Sequence, residues 1–116
     1  ILFKNDEPFM ILGALGGSVI ISAVLQTILN IVDFGMSPME AVSVPRIHSE
    51  GEFVHVEARV ESSQIAVLES FGHKIKKSPY SFDPMMARCH VILKDKKNWK
   101  AGADPRSGGG VAFARV

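Results

Sequence analysis

The sequence predicts an α+β fold in which a largely antiparallel sheet carries helices on its faces. Strand-like segments come in pairs joined by short polar turns, and helix-like segments are segregated between those pairs. The 116 residues are 47% hydrophobic, which is enough for a real core and argues against disorder. We therefore expect residues 1–116 to form a single domain. The net charge of +1 gives no reason to expect nucleic acid or an acidic membrane surface as a partner.

The N-terminal residues predict a strand hairpin. Residues 1–4 and 9–15 are strand-like, and Asn5-Asp6-Glu7-Pro8 between them is typical of a turn. Because Ile1 lies directly in a strand-like run, we expect the chain to be a fragment or a cleaved product. The apolar run over residues 9–25 is a weak candidate for a membrane span, since three glycines and two serines interrupt it.

A long helix is predicted after the hairpin, over residues 18–34. Ser18 is positioned as its N-cap, and Gly35 as the residue that ends it. This helix is expected to pack between other elements, because its polar positions form only one narrow stripe: Ser22, Gln26, Asn30 and Asp33.

The elements beyond this helix are shorter. Ser37-Pro38-Met39-Glu40 is a capping box with proline at the first helical position, so a short helix should begin here and end before Pro45. Ser62 or Ser63 is expected to cap a further helix, which Gly72 closes. The other predicted elements are strands over 53–60, 73–77 (a basic edge strand) and 111–116, a hairpin of 87–93 with 99–103, and a glycine-rich loop over 104–110.

The double glycine before the long helix is the clearest functional signal. Gly16 and Gly17 leave backbone N–H groups uncovered near a helix N-terminus, which suits an anion or an oxygen that becomes one during a reaction. The same residues also fit a strand-to-helix turn that merely needs small side chains. A P-loop is excluded because no lysine follows the glycines, and the dinucleotide fingerprint spacing is absent. No obvious nucleophile accompanies the turn, since the one threonine, Thr27, lies in mid-helix.

The remaining reactive or charged residues have ordinary interpretations. The histidines lack a paired spacing for a metal, so surface or core roles are expected for His48, His55, His73 and His90. Cys89 lies in a predicted buried strand, where an inert thiol is usual. Arg46 follows Pro45, and Asp104-Pro105-Arg106 opens the glycine-rich loop; both segments are compatible with solvated surface charge.

Several motifs, taken in order, resemble the C-terminal part of the small subunit of gamma-glutamyltransferases. Each motif is weak alone, but their ordered combination over essentially the whole chain is specific. The matching pieces are the double-glycine turn before a long helix, Leu25-Gln26 to Asn30, Asp33-Phe34-Gly35-Met36, Glu40-Ala41 to Pro45-Arg46, Phe71-Gly72-His73, and Gly102-Ala103-Asp104-Pro105-Arg106.

This resemblance implies an N-terminal-nucleophile hydrolase with a four-layer αββα sandwich. In that family a precursor cleaves itself and exposes a threonine, which acts as nucleophile with its own amine as base; that threonine lies upstream of the segment matched by Ile1. The resemblance assigns oxyanion-hole N–H groups to Gly16 and Gly17. It gives Arg46, Asp104 and Arg106 a role in structure and in support of maturation, and it implies no metal or organic cofactor.

The implied partners are the N-terminal part of the small subunit, the large subunit and a gamma-glutamyl donor such as glutathione. The acyl group would pass through a threonyl ester to water or an amino acceptor, and an extracellular or cell-envelope location follows from the resemblance alone. Two alternatives stay open: another amidase of the superfamily, such as a beta-lactam acylase or a poly-gamma-glutamate processing enzyme, and a non-catalytic domain that kept the fold. The chain departs from the family at Ala14-Leu15, where Ser or Thr followed by Pro is usual, and losing that proline removes a restraint on the turn.

Overall fold

The computed structural model describes residues 1–114, which form two sheets with helices packed on them. The strands are β1 (Leu2–Lys4), β2 (Glu7–Leu15), β3 (Ile47–Ser49), β4 (Val54–Val56), β5 (Ile75–Lys77), β6 (Arg88–Asp95) and β7 (Asn98–Gly102); the helices are α1 (Val19–Val32), α2 (Pro38–Ser43) and α3 (Ser62–Ser70). One sheet has the strand order β1-β2-β6-β7 and is antiparallel throughout, and the other has the order β3-β4-β5. The α+β class predicted from the sequence is confirmed.

The predicted N-terminal hairpin is present, with a tighter turn than expected. Only Asn5 and Asp6 separate β1 from β2, and both have positive φ angles, of 53° and 61°. Short polar residues tolerate that conformation, which matches the twist of two antiparallel strands. The pair β2–β6 then sets the centre of the larger sheet, with Leu15 opposite Arg88 at one end and Met10 opposite Leu93 at the other.

Helix α1 forms as predicted, but its N-cap makes no side-chain hydrogen bond and only part of its surface is covered within residues 1–114. Ser18 occupies the N-cap position with helical backbone angles, and its side chain makes no capping hydrogen bond. Within residues 1–114, one side of the helix is also left uncovered. Its polar stripe faces α2 and β3, whereas an apolar stripe is exposed: Ile21, Leu25, Leu29 and Val32.

The second sheet was only partly predicted. The Ser37 capping box of α2 is confirmed, with Ser37 and Glu40 exchanging side-chain and backbone hydrogen bonds. The strand predicted over 53–60 is limited to β4, and its neighbour β3 was missed. Strand β5 lies at the sheet edge as expected, but it pairs with β4 in parallel. Helix α3 is capped by Glu61 and not by Ser62 or Ser63, because Glu61 and Gln64 form the reciprocal capping bonds.

The C-terminal segment departs from the predicted strand. A 3-10 helix over Pro84–Met86 leads into the β6–β7 hairpin, which was predicted. Residues 104–110 are irregular, as expected of the glycine-rich loop. Residues 111–114 are also irregular, so this part of the predicted strand 111–116 is wrong, and residues 115–116 lie outside the described residues.

The core lies on one face of the larger sheet. Helices α1 and α2 cover this face, where Met10 and Val91 of the sheet pack against Ile31, Ala41 and Val42 of the helices. A separate hydrophobic cluster joins α3 to the second sheet. The opposite face of the larger sheet stays largely open. Residues 110–113 cross it beside a cavity of about 660 Å³, whose lining includes Ile11, His90, Ile92, Trp99 and Phe113.

Candidate active site

The double glycine joins the end of β2 to the start of α1, and the two glycines differ in what surrounds them. Gly16 has a φ of 150° and Gly17 a φ of 65°, both in the region that side chains disfavour. A Cβ at Gly16 would lie 2.7 Å from the Ala87 Cβ and 2.8 Å from its Cα, so the neighbouring backbone leaves no room for one. A Cβ at Gly17 would meet no atom within 4 Å among the described residues. A side chain at Gly16 is therefore excluded by packing as well as by the backbone angle, whereas at Gly17 only the backbone angle disfavours one.

The N–H groups of this turn are not consumed by the described part of the fold. Within residues 1–114, neither the Gly16 nor the Gly17 N–H donates a hydrogen bond, whereas the Gly17 carbonyl accepts from the Ile20 N–H at 3.1 Å. Two adjacent donors at the start of a 14-residue helix can bind an anion or a developing oxyanion.

A polar network holds the first turns of α1 against β3. His48 Nδ1 lies 2.8 Å from Ser22 Oγ, and His48 Nε2 lies 3.2 Å from a carboxylate oxygen of Glu50. A hydrogen bond from Ser18, followed by the one from His48, lowers the pKa of the Glu50 carboxyl. Gln26 adds two bonds, donating to the Ile47 carbonyl at 2.7 Å and accepting from the Ile47 N–H at 3.0 Å. The polar stripe seen in the sequence thus positions the helix that follows the glycine turn.

A cluster of four buried charges lies behind the turn, formed by Arg46, Glu57, Asp104 and Arg106. Arg46 Nη1 lies 2.7 Å from Asp104 Oδ2, and Arg106 Nη1 donates to Asp104 Oδ1 at 3.2 Å. Arg106 also forms a two-pronged pair with Glu57, in which Nε donates to Oε1 at 2.7 Å and Nη2 donates to Oε2. All four side chains are 0–2% exposed. We refer to these four residues as the ion cluster.

The ion cluster also satisfies backbone groups from several elements. The Arg106 guanidinium donates to the carbonyls of Val42 and Val44, at the end of α2, at 2.8 and 2.9 Å. Glu57 accepts from the Arg46 N–H at 2.9 Å and from the Asp83 N–H at 2.8 Å. Because buried charges are tolerated only when paired and hydrogen-bonded, this arrangement locks α2 and both sheets in one relative position.

The pKa directions show charges that compensate one another. Burial lowers the pKa of Arg46 most, and the nearby Arg106 lowers it further, against the opposing effect of Asp104. Burial alone raises the pKa of Asp104, but N–H groups of Cys89 and Arg106 and both guanidinium charges outweigh burial, so the net pKa is lowered. Burial likewise opposes the charge of Arg106, yet its hydrogen bond and attraction to Glu57 outweigh that effect and raise its pKa. The pKa of Asp104 is thus lowered and that of Arg106 raised, and both shifts favour the charged form of the group.

The ion cluster contacts the glycine turn through one residue. Arg46 Nη1 donates to the carbonyls of Met86 and Ala87, at 3.2 and 3.1 Å. Ala87 is fully buried, and its Cα and Cβ are the atoms that exclude a side chain at Gly16. Its φ of 61° and ψ of 173° lie in a region occupied almost only by glycine, so this conformation needs the support that Arg46 provides.

The comparison with known families identifies this arrangement. The family model described as gamma-glutamyltranspeptidase matches residues 1–114. The chain belongs to this family. Members of the gamma-glutamyltranspeptidase family are N-terminal-nucleophile hydrolases, so the superfamily expected from the sequence is confirmed as well.

Curated relatives and solved structures agree with this assignment. The glutathione hydrolase proenzyme of Bacillus subtilis strain 168 is 41% identical over 80 residues, which are 68% of this chain and 14% of that protein. The Acylase ACY 1 proenzyme of Pseudomonas sp. strain V22 is 38% identical over 115 residues, 96% of this chain and 21% of that protein. The chain therefore spans about a seventh to a fifth of the curated relatives it matches.

Two solved structures illustrate the fold similarity. A mutant Helicobacter pylori gamma-glutamyltranspeptidase matches with a TM-score of 0.81 and 31% identity, covering 92% of this chain and 59% of that one. A cephalosporin acylase from Bacillus halodurans matches with a TM-score of 0.88 and 29% identity, covering 97% of this chain and 21% of that one.

The structure brings the sequence-predicted site residues together in two neighbouring places. Gly16 and Gly17 form the turn, while Arg46, Asp104 and Arg106 meet in the ion cluster behind it. Asp104 is the carboxylate that binds both arginines. Asp33 lies at the exposed C-terminal end of α1.

Sequence reasoning missed Glu57 entirely. The alternating pattern of residues 53–60 placed Glu57 within a strand, on the face opposite Val56. The strand instead ends at Val56, and the chain turns so that the Glu57 carboxylate is 0% exposed among arginines. The sequence offered one indication of a second carboxylate: two arginines in proline-stiffened loops need more hydrogen-bond acceptors than Asp104 alone offers.

The other candidate residues have structural surroundings. Cys89 is fully buried, and burial raises the pKa of its thiol. Among the described residues, no three His, Cys, Asp or Glu side chains are arranged to hold a metal ion. The apolar run over 9–25 is divided between β2 and α1, and within residues 1–114 no helix has the length and apolarity needed to cross a membrane.

Proposed function

We propose that this chain is the C-terminal part of the small subunit of a gamma-glutamyltransferase-like enzyme, transferring or hydrolysing gamma-glutamyl groups of glutathione-type donors. The parent enzyme acts through a threonyl ester on a nucleophile outside this chain. The observation that carries the proposal is that neither the Gly16 nor the Gly17 N–H donates a hydrogen bond within residues 1–114, in a chain that belongs to the gamma-glutamyltranspeptidase family.

In this proposal the Gly16 and Gly17 N–H groups bind the oxygen of the scissile carbonyl. Charge develops on that oxygen as the tetrahedral intermediate forms, and fixed donors stabilise the developing charge without reorganisation. The contact between Gly16 and Ala87, together with the network around His48, holds the turn in place before substrate arrives.

The ion cluster supports maturation in the same proposal. Self-cleavage passes through a tetrahedral species similar to that of turnover, so it needs the same turn geometry. Arg46 reaches the turn through the Ala87 carbonyl, and Asp104 and Arg106 hold Arg46 in position. Loss of any of these three residues should therefore reduce processing of the precursor.

The partners proposed for this chain are the remainder of the small subunit and the large subunit. Two apolar surfaces support this: the open face of the larger sheet and the exposed stripe of α1, which includes Ile21 at 74% exposure and Val32 at 54%. Exposed apolar surfaces of this kind mark protein contacts. In an αββα sandwich, a second sheet and further helices would cover them.

A second candidate function is acylase activity on a beta-lactam side chain. It is favoured by the 96% coverage of this chain in the match to the Acylase ACY 1 proenzyme. The residues before the turn also differ from the gamma-glutamyltransferase pattern, since Ala14-Leu15 ends β2 where Ser or Thr and Pro are usual. In both candidates the glycine turn binds the oxygen of the scissile carbonyl, and the two differ in the acyl group accepted.

The test uses the parent proenzyme, with processing followed by gel electrophoresis and turnover measured as amine release from a gamma-glutamyl anilide. Gly17→Val should lower turnover by roughly 10²–10³ among processed molecules, as loss of one oxyanion donor does elsewhere. Gly35→Val is the matched control, because Gly35 has the same φ of 65° and its Cβ would likewise meet no atom within 4 Å among the described residues.

Three results would contradict the proposal or redirect it. Equal turnover of processed Gly17→Val and Gly35→Val would make the double glycine a packing feature only. Turnover of a cephalosporin amide without turnover of any gamma-glutamyl donor would favour the acylase. Amine release by the purified 116-residue chain would contradict the claim that the nucleophile lies elsewhere.

A further inference from the structure

One arginine beside the glycine turn differs from the arginines that the fold uses. Arg46, Arg59 and Arg106 each donate hydrogen bonds to carbonyl or carboxylate oxygens. Arg88 is half-buried, and within residues 1–114 it donates none; its Nε is a buried atom without a partner. An unpaired buried donor on a guanidinium is costly, so such a group is expected to meet an acceptor that the described residues do not supply.

Arg88 lies at the end of the sheet where the turn begins. It is directly opposite Leu15 in the β2–β6 register, one residue before Gly16, and it follows Ala87, which packs against Gly16. Side chains alternate along β6, with Cys89 and Val91 buried under the helices, so Arg88 belongs to the open face of the sheet. The Arg88 side chain therefore leaves the sheet beside the glycine turn, on the face without helices.

Within residues 1–114, none of the salt bridges includes Arg88, and the carboxylates of Asp104 and Glu50 bind other basic side chains. Asp104 binds Arg46, Arg106 and the Cys89 N–H, and Glu50 binds His48. Arg88 consequently presents a positive charge that no described carboxylate neutralises. A planar guanidinium in such a place matches the geometry of a carboxylate, which it can bind through two parallel hydrogen bonds.

We propose that Arg88 determines specificity by binding a carboxylate of the substrate whose carbonyl is held at Gly16–Gly17. This inference rests on the proposed function. A glutathione-type donor offers a carboxylate on either side of the scissile bond: the alpha-carboxylate of the glutamyl group and the terminal carboxylate of the leaving peptide. Both present the same chemistry to Arg88, and the experiment separates them.

The experiment measures kcat and KM of the processed parent enzyme carrying Arg88→Gln or Arg88→Lys. Two substrate pairs are compared: a gamma-glutamyl anilide with its alpha-carboxamide analogue, and glutathione with its glycine carboxamide. Arg88→Gln should lower kcat/KM about 10–100-fold for the member with the recognised carboxylate, mostly through KM, with little change for its carboxamide. Loss confined to the first pair assigns the glutamyl carboxylate, and loss confined to the second assigns the leaving group. Arg88→Lys should retain part of the preference because it keeps the charge.

Lys100→Gln is the control for a general charge effect, since it removes an exposed cation toward the opposite end of the same sheet. Equal losses on acid and amide substrates with Arg88→Gln, with or without a lower melting temperature, would overturn the inference and assign Arg88 to a protein carboxylate. Unchanged kinetics would also overturn it. A wild-type enzyme without gamma-glutamyl activity would instead refute the proposed function, and this inference with it.

Discussion

Replacing Glu57 by glutamine should strongly destabilise the fold, although the two side chains have nearly the same shape. The Glu57 carboxylate accepts from the Arg46 and Asp83 N–H groups and forms the two-pronged pair with Arg106. Both carboxylate oxygens are occupied by donors. The glutamine amide would therefore place its NH₂ against N–H groups in either orientation, and the positive charge of Arg106 would lose its main partner.

The magnitude follows from the burial of the pair. Glu57 and Arg106 are both 0% exposed, and removing one partner of a buried pair costs about 3–5 kcal/mol. Glu52→Gln is the matched control, because Glu52 faces Lys74 at 3.7 Å with 70% of its side chain exposed. Exposed pairs contribute about 0–1 kcal/mol, so the two identical substitutions should differ several-fold in effect.

Urea unfolding followed by far-UV circular dichroism measures the difference. With a slope of about 1–3 kcal/mol per molar urea, the Glu57→Gln midpoint should fall by at least about 1 M, and that of Glu52→Gln should barely move. An unchanged slope for both variants is required, since it shows that only stability differs. Glu57→Gln and Glu52→Gln midpoints that coincide would refute the claim that the ion cluster supports the fold.

Three further predictions concern acidity, the turn and association. The pKa of Asp104 is lower in the folded chain than its ordinary 3.8, so its stabilisation is complete above that value and is lost as pH falls through the folded pKa; acid unfolding should be flatter below pH 3.8 in Asp104→Asn. Gly16→Ala should cost more stability than Gly17→Ala, because overpacking against Ala87 adds about 1–3 kcal/mol to the backbone strain that both share; equal melting temperatures would contradict this. The purified chain should self-associate and bind a hydrophobic dye through the α1 stripe, and Leu25→Lys, at a position 53% exposed, should reduce both in light scattering and dye fluorescence.

Local chemistry made some of the fold predictable. The Ser37 capping box fixed the start of α2, because both of its hydrogen bonds lie within four consecutive residues. The glycine pair marked the end of β2 and the start of α1 for a similar reason. Which stripe of α1 is exposed was not predictable, since the sequence shows which helix faces are apolar but not which of them another chain segment covers.

The second sheet was only partly predicted, because its strands are short and β4 pairs with a strand distant in sequence. Strands β3, β4 and β5 have three residues each, too few for a period of two to be distinguished from chance. The parallel pairing of β4 with β5 requires a crossover connection, which α3 provides. No local sequence motif predicts this parallel pairing. The burial of Glu57 was not predicted for the same reason, because it depends on β4 ending at Val56.

The ion cluster and the glycine turn should be regarded as one mechanical unit. Ala87 holds a backbone conformation that costs on the order of 1–3 kcal/mol for any residue other than glycine. Such strain persists only where the surroundings over-determine it, and here the carbonyls of Met86 and Ala87 accept from Arg46 while the Cα and Cβ of Ala87 close the space behind Gly16. The hydrogen bonds from Arg46 therefore hold the Ala87 backbone against which Gly16 packs, and a change in the ion cluster is expected to reach the turn through this one residue.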